Sequence, residues 1–197
     1  MKVTTKGKTI IVKHKLRKDE CYKISKGTNS CNFVIYKRPI LVRGFSNVCE
    51  DNMQILTIDY DNVDINVVKE DFTTLQNQYA LPQAYLFKTN KGYHLVCIKK
   101  MSSREVNEII KSTRCDINYM SMPLRNVHRS YILRISNKGH KSRPKYIELL
   151  GHDKFKSQIL SNAHFILLSK LYKNLPKIKG SYDRLNNVRI QIYETNA

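Results

Sequence analysis

The first residues that could carry out chemistry are two aspartates, Asp59 and Asp61, which close an apolar, β-branched run over 54–60. Residues i and i+2 of a strand project from the same face, so both carboxylates can reach one site. Clustered carboxylates repel each other unless a cation or a proton neutralises them, and their hard oxygen atoms suit Mg²⁺ or Mn²⁺. The pair therefore indicates a divalent-cation site, whereas the simpler interpretation is that these acids begin a turn.

A glycine turn followed by a histidine is the second candidate, at Lys91, Gly92 and His94. Glycine allows a tight turn between the two apolar runs that flank it. Such a turn can present an imidazole to a phosphate group. The alternative interpretation is an ordinary hairpin whose histidine lies near the surface.

Basic residues surround a third segment, the apolar run over 130–136, at Arg125, Arg129, Arg134 and Lys138. Arginine forks bind phosphate oxygens in pairs, and lysine adds a compact point charge. The cluster indicates phosphate binding, although a cluster in so basic a chain can also be a solvated face.

The chain of 197 residues carries 35 Lys and Arg against 16 Asp and Glu, a formal net charge of +19. Such an excess predicts a polyanionic partner such as nucleic acid. No apolar stretch reaches the roughly 18 to 20 residues of a membrane span, and the basic N-terminus lacks the apolar core of a signal peptide. We therefore expect a soluble, cytoplasmic protein that does not bind membranes.

The five cysteines are odd in number and never spaced C-x-x-C. This usage argues against a disulfide framework and against an ordinary zinc knuckle. His14, Cys21, Cys31 and Cys49 would make four zinc ligands, but their spacing is irregular. We expect free thiols and no zinc.

The elements that would position these residues follow from hydrophobic periodicity. A buried strand over 54–60 precedes a helix spanning about 67–80, whose apolar residues share one face,. The remaining predicted elements are a hairpin of strands 83–89 and 93–100, a helix opened by the capping box Ser102–Glu105, a hairpin pair of strands 130–136 and 144–150, and a helix from about 153 to 173,.

The order strand, helix, hairpin, helix, hairpin predicts an α+β domain with a mostly antiparallel sheet, as in an RRM-like palm with helices on one face. The first fifty residues predict a β-rich basic segment, with strands at 8–13 and 33–43, that packs on this core. We therefore expect the N-terminal segment 1–50 and the palm 51–197 to form one compact domain.

Together these motifs resemble the archaeo-eukaryotic primase superfamily, in particular its small primase-polymerase members from plasmids and viruses. That family has an hhhDhD strand, an (S/G)-x-H motif on the second strand of a hairpin, and a third acid followed by an arginine-bearing strand that ends in a basic turn. The runs ILTIDYD, KTNKGYHLVC and CDINYMSMPLRNVHRSYILRISNKG match in this order, over roughly residues 54–150. The matching residues are Asp59, Asp61, Gly92, His94, Asp116, Arg134 and Lys138.

The resemblance implies a primase catalytic core that binds two divalent ions, Mg²⁺ or Mn²⁺. The implied catalytic and metal-binding residues are Asp59, Asp61 and Asp116, with Glu148 as the alternative third acid. The implied nucleotide-binding residues are His94, Gly92, Lys91, Arg134 and Lys138. Basic residues that would hold the template backbone without reading its sequence are Arg125, Arg129, Lys141, Arg143 and Lys145.

The implied activity is template-directed transfer of nucleotides from an NTP or dNTP to a nucleic-acid 3′-hydroxyl, as in a DNA primase or primase-polymerase. The implied partners are single-stranded or primed DNA and a helicase or accessory primase subunit. One alternative is a non-catalytic module that binds single-stranded nucleic acid through basic and aromatic residues. Another is an RRM-like endonuclease: the H-x-H pair of rolling-circle initiators is missing from the sequence, whereas an RNA-processing nuclease would need no metal.

Overall fold

The computed structural model describes residues 2–5, 8–11, 20–26, 29–35, 40–125, 129–155 and 158–195; before residue 41 and after residue 192 it describes only the strands. The chain divides into two compact units, Met1–Ile40 and Leu41–Thr195. The first unit contains two antiparallel hairpins, one of β1 (Lys2–Thr5) and β2 (Lys8–Ile11) and one of β3 (Glu20–Lys26) and β4 (Asn29–Ile35).

The second unit mixes strands and helices along the chain. In order they are β5 (Ile40–Ser46), β6 (Gln54–Asp61), α1 (Ile65–Tyr79), β7 (Ala84–Lys88), β8 (Gly92–Met101), α2 (Ser103–Lys111), α3 (Ile117–Met120), α4 (Met122–Arg125), β9 (Ile132–Arg134), β10 (Lys145–Leu150), β11 (Ile159–Leu160), α5 (Asn162–Leu171), β12 (Ser181–Tyr182) and β13 (Ile190–Thr195).

Strand β8 is the centre of the main sheet, because β6, β7 and β11 all pair with it in antiparallel fashion. The sheet continues from β7 to β10 in antiparallel fashion and from β11 to β12, a short parallel pair. A second sheet has the order β13–β5–β9. The predicted α+β class with a mostly antiparallel sheet is confirmed, and the predicted hairpin of strands 83–89 and 93–100 is present as β7 and β8.

Helix α1 confirms the predicted helix near 67–80 and begins slightly earlier. Its N-cap is Asp64, whose side chain accepts a hydrogen bond from a first-turn amide that has no partner within the helix,. Val68, Phe72 and Leu75 are buried because their spacing places them on one helix face. This face packs towards β8.

The capping box predicted at the start of α2 is present. The Ser102 side chain accepts a hydrogen bond from the Glu105 amide, and the Glu105 carboxylate accepts one from the Ser102 amide. Val106, Ile109 and Ile110 are fully buried, and the helix packs against β6. An apolar helix face therefore supports the strand that carries the two aspartates.

The predicted hairpin of strands 130–136 and 144–150 is wrong. Both strands form near the expected positions, but β9 pairs with β5 in the second sheet and β10 pairs with β7 in the main sheet. Local patterns indicate where strands form, whereas pairing depends on which sheet edges the rest of the chain leaves open.

The predicted helix from about 153 to 173 is also too long at its start. Helix α5 begins at Asn162, because the Ser161 side chain accepts a hydrogen bond from the His164 amide and caps the helix there,. Immediately before the cap, Ile159–Leu160 form β11 instead of a helical turn.

The predicted strands of the first fifty residues correspond to β2 and to parts of β4 and β5, while residues 12–13 and 36–39 lie outside the described residues. His14 and the side chains of Cys21 and Cys31 also lie outside the described residues, whereas Cys49 is a buried free thiol. Within the described part of the chain, no helix is both long and apolar enough to span a membrane.

His164 of α5 is fully buried and has a defined tautomer. Its Nε2 lies 2.9 Å from the carbonyl oxygen of Ser46, which can only accept, so Nε2 carries the hydrogen,. Its Nδ1 accepts a hydrogen bond from Ser161 Oγ at 2.8 Å. Burial lowers the pKa of His164 from 6.5 to about 4, although the hydrogen bond to Ser46 and the charge of Asp183 oppose this shift.

We expect this histidine to make the fold sensitive to acid. The unfolded chain takes up the proton near pH 6.5 and the folded chain only near pH 4, so stability is lost as the pH falls through this range,. His164 accounts for about 3 kcal/mol of the free energy of unfolding that is lost over this pH range.

Urea unfolding at neutral pH and near the folded pKa measures this effect. A His164→Asn variant should be less stable at neutral pH but should lose less stability on acidification than the unaltered protein. The exposed His140 provides the matched control, since His140→Asn should leave the acid loss unchanged. An equal acid loss in the His164→Asn variant would contradict the role of the buried imidazole.

Candidate active site

The acidic and basic residues singled out in the sequence line one cavity of about 530 Å³ in the second unit. The acids are Asp59, Asp61 and Asp116, and the cations are Lys91, Arg125, Arg134, Lys138 and Lys141. His94 and Asn90 also line this cavity. The fold therefore brings together most of the residues predicted to act on metal and nucleotide.

Asp59 and Asp61 lie at the end of β6, and both line the cavity. Tyr60 between them is fully buried in the core, as the alternation of side chains along a strand requires. In the pairing of β6 with β8, Asp59 lies opposite His94 and Asp61 lies opposite Gly92. The spacing of the two acids thus places both carboxylates on the same wall.

Asp116 reaches this wall through its main chain. Its amide donates a hydrogen bond to the carbonyl oxygen of Asp59 at 2.8 Å, which attaches the segment before α3 to β6. The Asp116 Oδ1 atom accepts hydrogen bonds from the amides of Asn118 and Tyr119 and caps α3. These bonds involve Oδ1 alone, so the side chain caps the helix while it lines the cavity.

The three acids interact electrostatically. The pKa of Asp61 is raised, first by partial burial and then by the negative charges of Asp59 and Asp116. Lys141 and Lys91 oppose this rise. A bound cation relieves repulsion of this kind.

An unsatisfied oxygen atom supports a cation beside these acids. Asp59 Oδ1 is buried and accepts no hydrogen bond from the described residues, and His94 Nε2 lies 3.4 Å away. Across the described ranges, no group of three His, Cys, Asp or Glu side chains is already arranged to hold an ion. The donor chemistry fits Mg²⁺ or Mn²⁺, because three carboxylates supply hard oxygen ligands from one wall.

Glu148, the alternative third acid, lies elsewhere in the sheet. It is on β10, and its carboxylate pairs with Lys69 of α1 at 2.8 Å. Of the two candidates, Asp116 is the acid that lines the cavity with Asp59 and Asp61.

The two motif residues of β8 have different roles. His94 is only 4 % exposed, lines the cavity and faces Asp59. Gly92 has a structural reason to be glycine, because a Cβ at this position would lie 1.7 Å from the carbonyl oxygen of Tyr60. The backbones of β6 and β8 approach too closely there for any side chain.

Lys91 is presented by the tight turn between β7 and β8. The Thr89 hydroxyl accepts hydrogen bonds from the amides of Lys91 and Gly92, at 3.3 and 3.0 Å. The Lys91 carbonyl accepts a hydrogen bond from the Asn62 amide at 2.8 Å, which ties the turn to the end of β6. The turn is therefore fixed from both sides, with Asn90 and Lys91 at its exposed tip.

Lys138 and Lys141 are held side by side in a second turn. Their main chains exchange two hydrogen bonds, of 2.9 and 3.0 Å, across Gly139 and His140. Gly139 takes a φ of 58°, which glycine adopts without strain. Both lysines line the cavity.

The basic residues assigned to the template fall into two groups. Arg125 and Lys141 line the cavity, whereas Arg129, Arg143 and Lys145 are exposed outside it. The second group is therefore accessible to a polyanion that passes over the surface.

Several residues of the cavity wall carry no signal in the sequence patterns: Thr89, Asn118, Tyr119, Met122, Ile132 and Gln191. The Tyr119 hydroxyl donates to Thr57 Oγ1 at 2.6 Å, and its ring stacks on Tyr131 with 5.3 Å between ring centroids. Asn118 and Tyr119 could have been found from Asp116, because an aspartate N-cap places the next residues of its helix beside it.

Comparison of the chain with protein-family models, with curated proteins and with solved structures finds no match.

Proposed function

We propose that the protein is a template-directed nucleotidyltransferase, a DNA primase or primase-polymerase that transfers nucleotides from an NTP or dNTP to a nucleic-acid 3′-hydroxyl. The observation that carries this proposal is the presence of three acids and five cations on the wall of one cavity. Carboxylates bind divalent ions, and lysine and arginine bind the phosphates that these ions accompany. A site that only bound nucleic acid would gain nothing from three acids, since acids repel a polyanion.

The order of elements supports a palm of the archaeo-eukaryotic primase type. Strand β6, helix α1, the β7–β8 hairpin and helix α2 follow one another as they do in RRM-like folds,. The antiparallel pairing of β6 with β8 sets the acid-bearing strand beside the histidine-bearing strand.

The acids would hold the metal. Asp59, Asp61 and Asp116 would bind Mg²⁺ or Mn²⁺, which when bound lowers the pKa of the attacking hydroxyl and stabilises charge at the α-phosphate. The main-chain hydrogen bond between Asp116 and Asp59 keeps these ligands together before substrate arrives. His94, buried beside Asp59, would contact a phosphate oxygen of the incoming nucleotide.

The cations would hold the triphosphate. Lys91, Lys138 and Lys141 come from two turns that are each fixed by hydrogen bonds, so their positive charges converge on the cavity without a large loss of backbone entropy. Charges placed in this way stabilise the negative charge that develops on the departing pyrophosphate.

The surface would hold the template. The net charge of +19 and the exposed Arg129, Arg143 and Lys145 suit contacts with phosphates, which do not depend on base sequence. Template preference should therefore be weak.

The test is incubation of the purified protein with single-stranded DNA, labelled nucleotides and Mg²⁺ or Mn²⁺, with and without an annealed primer. Labelled product is the expected result; product without a primer would identify a primase, and extension alone would identify a polymerase. No product with either ion, together with tight and salt-sensitive DNA binding, would leave a binding module. Cleaved template would favour the endonuclease.

A further inference from the structure

The loop that carries two of the cavity lysines is organised around one arginine. We define the basic loop as residues 136–142, which follow β9 and include Lys138 and Lys141. The Arg134 Nη1 atom donates to the carbonyl oxygen of Ser136 at 2.5 Å and to that of Ser142 at 2.9 Å. These two carbonyls lie at the two ends of the basic loop, so one guanidinium nitrogen joins them.

Other hydrogen bonds complete the basic loop. The Asn137 side chain accepts a hydrogen bond from the Arg143 amide at 2.8 Å, and the Ser136 hydroxyl accepts one from the Arg43 amide at 2.8 Å.

The basic loop is also connected to the turn that presents Lys91. The Ser142 hydroxyl donates a hydrogen bond to Asn90 Oδ1 of that turn at 3.3 Å. The loop therefore has a defined shape that depends on contacts at both of its ends.

From these contacts we infer that Arg134 is a positioning residue, which shapes the basic loop so that Lys138 and Lys141 bind the triphosphate of the incoming nucleotide. This inference rests on the proposed function and departs from the direct phosphate contact that the resemblance implies for Arg134. The charge of Arg134 Nη1 is directed at two backbone carbonyls. Lys141, which was expected to hold the template, is reassigned to the triphosphate.

The chemistry of the two side chains supports this division. A planar guanidinium can hold two acceptors in a fixed arrangement, whereas an ammonium on a flexible stem is a point charge. An Arg134→Lys variant therefore keeps the positive charge and loses the geometry that joins the loop ends. A phosphate-binding arginine is also sensitive to this exchange, so the two roles are separated by the coupling of Arg134 to Lys138 and Lys141 and by the proteolysis of the basic loop.

The first measurement is the affinity for inorganic tripolyphosphate in the presence of Mg²⁺, determined by calorimetry. We expect Arg134→Lys and Lys141→Gln each to weaken binding about tenfold or more, as the loss of a charge-assisted contact predicts. In a Lys138→Gln/Lys141→Gln background, Arg134→Lys should weaken binding by less than about twofold further, because it acts through those lysines. If Arg134→Lys weakened binding in that background by the same factor as it does alone, the inference would be overturned. Lys173→Gln, an exposed charge change outside the cavity wall, should bind like the unaltered protein.

The second measurement is the rate of proteolysis of the basic loop in the absence of any ligand. Trypsin should cleave after Lys138 or Lys141 about tenfold faster in the Arg134→Lys variant than in the unaltered protein, because the ends of the loop are no longer joined. Unchanged cleavage would overturn the positioning role while leaving nucleotidyl transfer untouched. Failure of the unaltered protein to bind tripolyphosphate would remove the loop's ligand, and with it the triphosphate part of the proposed function.

Discussion

Replacing Asp59 and Asp61 together by asparagine is expected to lower nucleotide incorporation by about 10³-fold or more, because a site that depends on divalent ions loses two ligands at once. Asparagine keeps the volume of each side chain, and it removes both the partly buried charge and the repulsion between acids that together raise the Asp61 pKa. The melting temperature should therefore hold or rise while activity disappears. This opposite response of stability and activity is typical of a functional site.

The rate of primer extension and the thermal unfolding curve are measured on the same preparation. Glu108→Gln removes a carboxylate on the exposed face of α2 and should leave both unchanged. Asp116→Asn keeps a side chain that can cap α3 and should lose activity with the pair, whereas Glu148→Gln should not. Activity that survives in the double variant would refute the assignment of these acids to catalysis.

Replacing Gly92 by alanine is expected to destabilise the protein by about 3 kcal/mol or more, because a new methyl group would overlap a backbone oxygen that cannot move alone. The added Cβ would meet the Tyr60 carbonyl at 1.7 Å, so the ends of β6 and β8 would have to separate. Separation would displace Asp61, which is the register partner of Gly92. Urea unfolding gives the loss of stability, and incorporation assays below the new melting point give the loss of activity.

Asn90→Ala is the matched control for this substitution. Asn90 lies in the same turn, its side chain is exposed, and it accepts one hydrogen bond from Ser142. Its removal should cost no more than about 1 kcal/mol. If Gly92→Ala were as mild as Asn90→Ala, the close approach of the two strands would not be what requires glycine.

The parts of the fold that could be predicted are those that local chemistry decides. The periodicity of Val68, Phe72 and Leu75 is sufficient to predict α1, and the residue types at Ser102 and Glu105 are sufficient to predict the start of α2. The partners of β9 and β10 could not be predicted in this way, because each pairs with a strand far away in the sequence. Strand pairing is decided by the competition of whole sheet edges, which no short window of sequence contains.

The candidate site likewise contains features that local sequence predicts and features that depend on contacts made only in the folded chain. Asp59 and Asp61 share a wall because a strand alternates its side chains, which the spacing alone predicts. The contacts of Arg134 depend on where the carbonyls of Ser136 and Ser142 lie, and no motif describes them. The requirement for glycine at position 92 comes from the nearby carbonyl oxygen of Tyr60, which would overlap any Cβ there. That contact lies between two strands and cannot be predicted from the sequence around Gly92.

Main-chain hydrogen bonds between Lys138 and Lys141 close a turn whose exposed tip is Gly139 and His140. Additional chain inserted at such a tip lengthens a surface loop, and the entropy cost of closing a flexible loop grows only slowly with its length. Insertions whose own ends lie close together are tolerated best at exposed tips of this kind. A reporter peptide or a small fluorescent domain could be grafted between Gly139 and His140, beside the cavity, with both lysines still paired beneath it.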